Sequence, residues 1–270
     1  MRTPEEWLLA FNQYYNNITS NKAPGLEPYE ISLFLTDAQR AVVLGICTGA
    51  LGESFESTEQ VSNYLAPLVK QAVLTQAEQD PMYENGSGSG DDVPFPRLAG
   101  ENSYVFKLPD DLLFRTSELC NIDVPNCVTY RVVGQTRIPI YPVASVVPVT
   151  QDEYWRTTRN PFKKQNSRKV LRLVYADSEY TSVDSQSVGS GAGQAKELRW
   201  KKYSELVSDY EVKAYTVRYV KYPEPIIVED LSDGLKIEGK YKACPCLLDE
   251  ALHNAILVKA VQIAQSVWSA

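Results

Sequence analysis

Hydrophobic residues recur at helical spacing near both ends of the chain and at strand spacing through its middle. In the first stretch Trp7, Leu8, Phe11, Tyr14, Tyr15 and Ile18 share one broad face of a helix. Thr3 is placed to cap it, Pro4 suits its first position, and Glu6 completes a Thr-x-x-Glu capping box. The pattern predicts a helix over 3–18 and a polar linker from Thr19 to Gly25. Pro28 opens a second helix through Ile31, Phe34, Leu35, Ala38, Ala41 and Val42, fading near Gly49 and Gly52. A third is expected from Thr58 through Val61, Tyr64, Leu65, Leu68, Val69, Ala72 and Val73, with a kink or a late start at Pro67. After Pro225, a stripe of Leu248, Leu252, Ala255, Ile256, Ala260, Ile263, Ala264 and Val267 marks a last helix.

Between these ends the period changes. Tyr104–Leu108, Val128–Val133, Val170–Tyr175 and Val212–Val220 are rich in β-branched and aromatic residues and read as strands. Ile138 to Val149 is also strand-like, but Pro139, Pro142 and Pro148 point to a sheet edge. Gln151 to Trp155 reads as a short helical turn, followed by a basic loop to Lys169. Two Gly/Ser-rich segments, 80–96 and 184–195, have the composition of flexible loops.

The expected fold class is α+β: terminal helices forming a helical bundle, with an antiparallel β-domain inserted between them. The expected division is 1–80 plus 245–270 for the bundle and 97–230 for a β-sheet or sandwich domain.

Composition narrows the function. The chain has 270 residues, 44% hydrophobic and 23% charged, as globular proteins do. It holds one histidine, His253. That removes Ser-His-Asp and Cys-His catalysis unless His253 itself is the base, and it removes any two-histidine metal site. The five cysteines, Cys47, Cys120, Cys127, Cys244 and Cys246, are odd in number and irregularly spaced, so no disulfide framework is expected. Cys244-Pro-Cys246 with His253 lacks a fourth ligand and the usual zinc spacing, and Cys120 and Cys127 read as small core residues. Gly189-x-Gly-x-Gly193 lacks the lysine partner and following helix of a phosphate loop. The adjacent carboxylates Asp91-Asp92, Asp110-Asp111 and Asp249-Glu250 need no catalytic explanation; the last pair suits a helix start. The expectation is no enzyme, no metal and no cofactor.

No apolar run reaches the ~18 residues of a membrane span, and the acidic N-terminus lacks the order of a signal peptide. A protein that stays in the cytosol where it is made, or joins something assembled there, is expected. Net charge is −7, against a protein that coats nucleic acid over its whole surface. The charge is uneven: residues 1–80 carry −6 and residues 151–225 carry +4. Such asymmetry suits copies packed head to tail, acidic face on basic face, or simply an uneven solvated surface.

One patch carries candidate chemistry. Arg156, Arg159, Lys163, Lys164, Arg168 and Lys169, with Arg172 beyond them and Lys196, Arg199, Lys201 and Lys202 further on, could meet phosphates or an acidic protein surface. Trp155 and Phe162 could stack bases, though two aromatics make a thin platform. A solvated loop is the plainer reading.

Several stretches in order along the chain then resemble a known group. Tyr14–Ile18, Ser20–Leu26 and Tyr29–Gln39 resemble the opening of the ring proteins of crAss-like phages. Leu108–Leu112, Glu153-Tyr154 and Asn160–Lys163 resemble turns recurrent among the head-to-tail adaptors of short-tailed bacteriophages. Arg218–Ile227 and the final helix, with Leu248, Glu250, His253, Ile256, Ala260, Val261 and Ala264, are similar to the closing segment of the podovirus tail tubular A type. The resemblance implies a helical bundle with an inserted β-domain and a mechanical role. A homo-oligomeric ring, usually of about twelve copies, extends the portal channel at the head-tail junction of a virion assembled in the bacterial host cytoplasm. The implied partners are the portal protein and adjacent ring or tail proteins, with transient contact to DNA in the channel. A more distal collar ring, and a non-ring nucleic-acid-binding protein using block 156–172, are the alternatives.

Overall fold

The Thr3 and Glu6 box forms as its residue types dictate. The Glu6 amide donates to Thr3 Oγ1 at 3.3 Å, and the Thr3 amide donates to Glu6 Oε2 at 2.9 Å. Helix α1 (Pro4–Ile18) follows, with Trp7, Phe11 and Tyr15 buried along one face. Helix α2 (Pro28–Cys47) starts from a second capping box, Glu27 with Glu30.

The computed structural model describes residues 2–18, 25–49, 63–75, 103–182, 196–232 and 234–268. The two Gly/Ser-rich segments and the start of the third expected helix lie outside them. The chain divides into two compact units, Met1–Lys70 with Tyr219–Ala270, and Gln71–Arg218.

The first unit is built on helices. α4 (Glu250–Trp268) packs on α2 and on α1, burying Leu252, Ile256, Leu257, Ala260, Val261 and Ala264. Its start is marked by Asp249 Oδ1, which accepts the Ala251 amide at 2.9 Å. Two hydroxyls buried on α2 tie down an extended segment. Ser32 Oγ donates to the Pro28 carbonyl and accepts the Val228 amide at 3.1 Å. Thr36 Oγ1 donates to the Ser32 carbonyl and accepts the Ile226 amide at 3.2 Å. Ser32 and Thr36 thus satisfy two buried N–H groups that would otherwise cost about 1–3 kcal/mol each.

The third helix is not what forms between Ala66 and Thr75. A 3-10 turn at Ala66–Leu68 leads directly into strand β1 (Val69–Thr75). Pro67 offers no amide to continue an α-helix and disfavours helical backbone in the residue before it. Val69 and Val73 then favour extended chain.

The second unit is built on a sheet. Strands β2 (Ser103–Lys107), β3 (Leu112–Asp123), β6 (Val143–Pro148), β7 (Lys169–Ser182), β8 (Lys196–Val207) and β9 (Glu211–Lys221) join β1 in the order β1-β9-β3-β6-β7-β8-β2. β7 and β8 form a long antiparallel ladder from Leu171 opposite Val207 to Ser182 opposite Lys196. A core of Val105, Leu171, Leu173, Tyr203 and Val207 takes in Tyr154 from helix α3 (Gln151–Arg159).

The α+β class stands, but the antiparallel expectation is corrected at one ladder. β6 and β7 run parallel, Ser145–Pro148 against Lys169–Arg172, because the connection through α3 is long enough for a crossover. The sheet edge expected for Ile138–Val149 holds for its first part, with Pro139 in a two-stranded ribbon, and fails for its second. Its first part joins the separate hairpin of β4 (Thr129–Val133) and β5 (Thr136–Ile140). Its second part, β6, lies inside the sheet between β3 and β7. Pro142 precedes β6 and Pro148 is its last residue, so neither proline interrupts the ladder. Cys127, expected in the core, is exposed in the turn before β4.

Candidate protein interface

The basic block occupies α3 and the loop that carries the chain to β7. Asp152 and Glu153 lie in the first turn of α3, and Arg156 and Arg159 in the last, an order that complements the helix dipole. Tyr154 is the buried anchor, and Thr158 Oγ1 donates to its carbonyl at 3.1 Å. The outward face carries Trp155, 57% exposed, with Arg156 and Arg159.

Beyond Arg159 the backbone is pinned by asparagines. Asn160 Oδ1 accepts the Phe162 amide at 3.0 Å, and the Asn160 carbonyl accepts the amides of Lys163 and Lys164 at 3.0 and 2.9 Å. That turn throws Phe162 outward at 92% exposure. Asn166 Oδ1 accepts the Arg168 amide at 2.8 Å, and the Arg168 carbonyl accepts from Ser145 through both its amide and its hydroxyl. The loop is therefore held at its backbone while its long cationic side chains stay in water. Arg156, Arg159, Lys163, Lys164 and Arg168 are exposed, and Lys169 is half-buried where β7 begins.

Arg172 leaves the group. It is buried in β7, with Nη1 2.9 Å from Glu118 Oε1 of β3. The same oxygen accepts the Tyr215 hydroxyl from β9 and faces Arg115 Nε at 3.8 Å. Burial and then the charge of Glu118 push the Tyr215 phenol well above its ordinary range. Burial, and then the nearby Arg172, draws the Arg115 guanidinium below its usual value. This is a structural cluster inside the sheet, in which Arg172 is already paired. Lys202 is also turned inward, half-buried, with Nζ donating to the Leu112 carbonyl at 3.0 Å. Lys196, Arg199 and Lys201 have side chains outside the described set.

His253 is placed too. It is buried against Trp7, ring centroids 4.9 Å apart, with Nε2 3.2 Å from the Leu248 carbonyl. Burial lowers its pKa, with smaller opposing contributions from that carbonyl and from Asp249. A neutral imidazole packed on an indole fills the core and does not face a substrate. Cys246 is buried beside Gln39, whose Nε2 lies 3.5 Å from its sulfur, and burial pushes the Cys120 thiol up to about 12. Among the described residues no group of three or more His, Cys, Asp or Glu is placed to hold a metal ion.

The surface is one of pinned loops and outward cations. The family model described as phage tail ring protein 3/4 matches residues 2–269. The chain belongs to that family. Ring protein 3 of Bacteroides phage crAss001 is 30% identical over 266 residues, 97% of this chain and 94% of its own length. Ring protein 4/5 of the same phage is 25% identical over 267 residues, 96% and 90% of the respective lengths. A phage tail ring protein is a structural component of the virion, assembled as an oligomeric ring with other tail proteins. No helix among the described residues is long and apolar enough to cross a membrane.

Proposed function

We propose that this ring protein is the head-to-tail connector subunit, a ring of about twelve copies that extends the portal channel and offers the next tail component a platform. The observation that carries the reading is the family match over nearly the whole chain. The helices α1, α2 and α4 form one cooperative bundle, and the basic block of Arg156, Arg159, Lys163, Lys164, Arg168 and Lys169 meets an acidic protein surface. A channel for a sliding duplex is poorly served by tight phosphate contacts, since each neutralised phosphate releases counterions and strengthens binding. Exposed cations opposite the acidic remainder of a neighbouring copy carry no such penalty.

A more distal tail ring is the second reading, favoured by the word "tail" in the family's description and by the numerals 3 and 4/5 in the relatives' names. A reconstruction of the particle's connector region separates the two. Copies abutting the portal support the first reading, and copies separated from it by another ring support the second. Reversal of Lys163 and Lys164 to Glu is expected to impair incorporation into particles while the purified chain melts at the wild-type temperature, because exposed charges contribute little to stability. Normal incorporation with altered DNA retention would move the block to the channel.

A further inference from the structure

The sheet unit carries one element that the fold does not cover. All ten residues of β4 and β5 are exposed, although five of them are large and apolar. Tyr130, Val132, Val133, Ile138 and Ile140 are each between 46% and 64% exposed. The register places Tyr130 opposite Pro139 and Val132 opposite Arg137, while Ile140 faces Thr129 and Ile138 faces Arg131. Opposed residues share a face and neighbours alternate, so both faces of the ribbon carry apolar groups. A two-stranded hairpin alone is marginal in water, and exposed apolar surface of this kind marks a docking element.

We propose that the β4–β5 hairpin is the arm with which each copy grips the next copy in its ring, seating on the neighbour's acidic helical unit. The proposal rests on the ring reading. Charge selects the occupant. The stretch from Pro125 to Pro142 holds two arginines, Arg131 and Arg137, and no carboxylate, in a chain of net charge −7 whose first 80 residues carry −6. A ring closes head to tail only when every copy bears two unlike, complementary patches. This chain bears both. Helix α1 turns Leu9 outward at 64% exposure beside exposed Glu5 and Glu6, an apolar and acidic counterpart to the apolar and basic hairpin. A different partner protein would not require that counterpart to be present on this chain. The exposed apolar surface also continues at the hairpin's root, where Leu119 and Val143 line an open cleft of about 580 Å³ together with Val124, Cys127 and Pro142.

The test uses the full-length chain in assembled particles, with the photoreactive residue p-benzoylphenylalanine in place of Tyr130. Irradiation is expected to yield a product with the mass of two copies of this chain, its second peptide drawn from Met1–Lys70 or Tyr219–Ala270. A product with a different virion protein would overturn the proposal, as would a chain present in particles that gives no product. The double variant V132D/I138D covers the case in which the probe itself blocks assembly. It is expected to melt like wild type and to enter particles about tenfold less or worse. Unchanged incorporation would overturn the proposal. Particles without the wild-type chain would sink the ring reading itself, a separate outcome.

Discussion

Two arginines of the same basic stretch make the same contact in opposite surroundings. Arg156 and Arg172 each place a guanidinium nitrogen 2.9 Å from a glutamate oxygen, Glu153 in one case and Glu118 in the other. On α3 both partners stand in water. In the sheet both side chains are about 10% exposed, and the carboxylate is shared with Tyr215 and Arg115. The distance is equal and the consequence is not, because water competes for the first pair and is kept from the second. The α3 pair leaves its arginine available to a partner. The sheet cluster spends its carboxylate holding β3, β7 and β9 in register.

Breaking the buried pair is the largest effect expected. Glu118→Ala leaves the buried Arg172 guanidinium, and the half-buried Arg115 beside it, without this counter-ion and should destabilise the protein by about 3–5 kcal/mol, read as a fall in the urea midpoint. A loss below about 1 kcal/mol would mean that water reaches the cluster and that the contrast with α3 is false.

The second test concerns a buried group that must not charge. His253 has its pKa lowered from 6.5 by burial, so between that folded value and 6.5 the unfolded chain binds the extra proton. Stability is therefore complete above pH 6.5 and falls as the pH drops below it, levelling off beneath the folded pKa, with a slope of at most about 1.4 kcal/mol per pH unit. Unfolding curves between pH 7.5 and about 5 should show this decline, and His253→Gln should remove it. An unchanged slope in the variant would assign the decline to other groups.

The smallest effect belongs to the exposed pair. Glu153→Ala should change stability by less than about 0.5 kcal/mol, and added salt should shrink even that. A loss matching that of Glu118→Ala would show that the α3 pair is not solvated.

Local chemistry made much of this molecule legible in advance. Thr3, Glu6, Pro28 and the apolar spacing of α1, α2 and α4 specify helices through bonds made within one turn. The alternation in Val212–Val220 specifies a strand for the same kind of reason. The failures share a cause. β3 was not legible as a strand because charged residues such as Arg115 and Glu118 interrupt its apolar alternation, and the partners Arg172 and Tyr215 that accommodate Glu118 come from distant strands. Val69 and Val73 fit a helical stripe as well as a strand, and Pro67 decides between them. The six cations of the candidate interface were visible as a run of charge. That Arg172 turns inward while Arg168 stays in water depends on where the β7 ladder begins.

The amino-acid order by itself determined the helices α1, α2 and α4 and a stretch of positive charge in an acidic chain, since each is a property of neighbours in sequence. Tertiary structure alone decided that β6 and β7 run parallel, that Arg172, Glu118 and Tyr215 meet, and that the β4–β5 hairpin stands uncovered. Those outcomes depend on which distant segments exclude water from one another, and apolar residues look alike in sequence whether their partner lies in the same chain or in another.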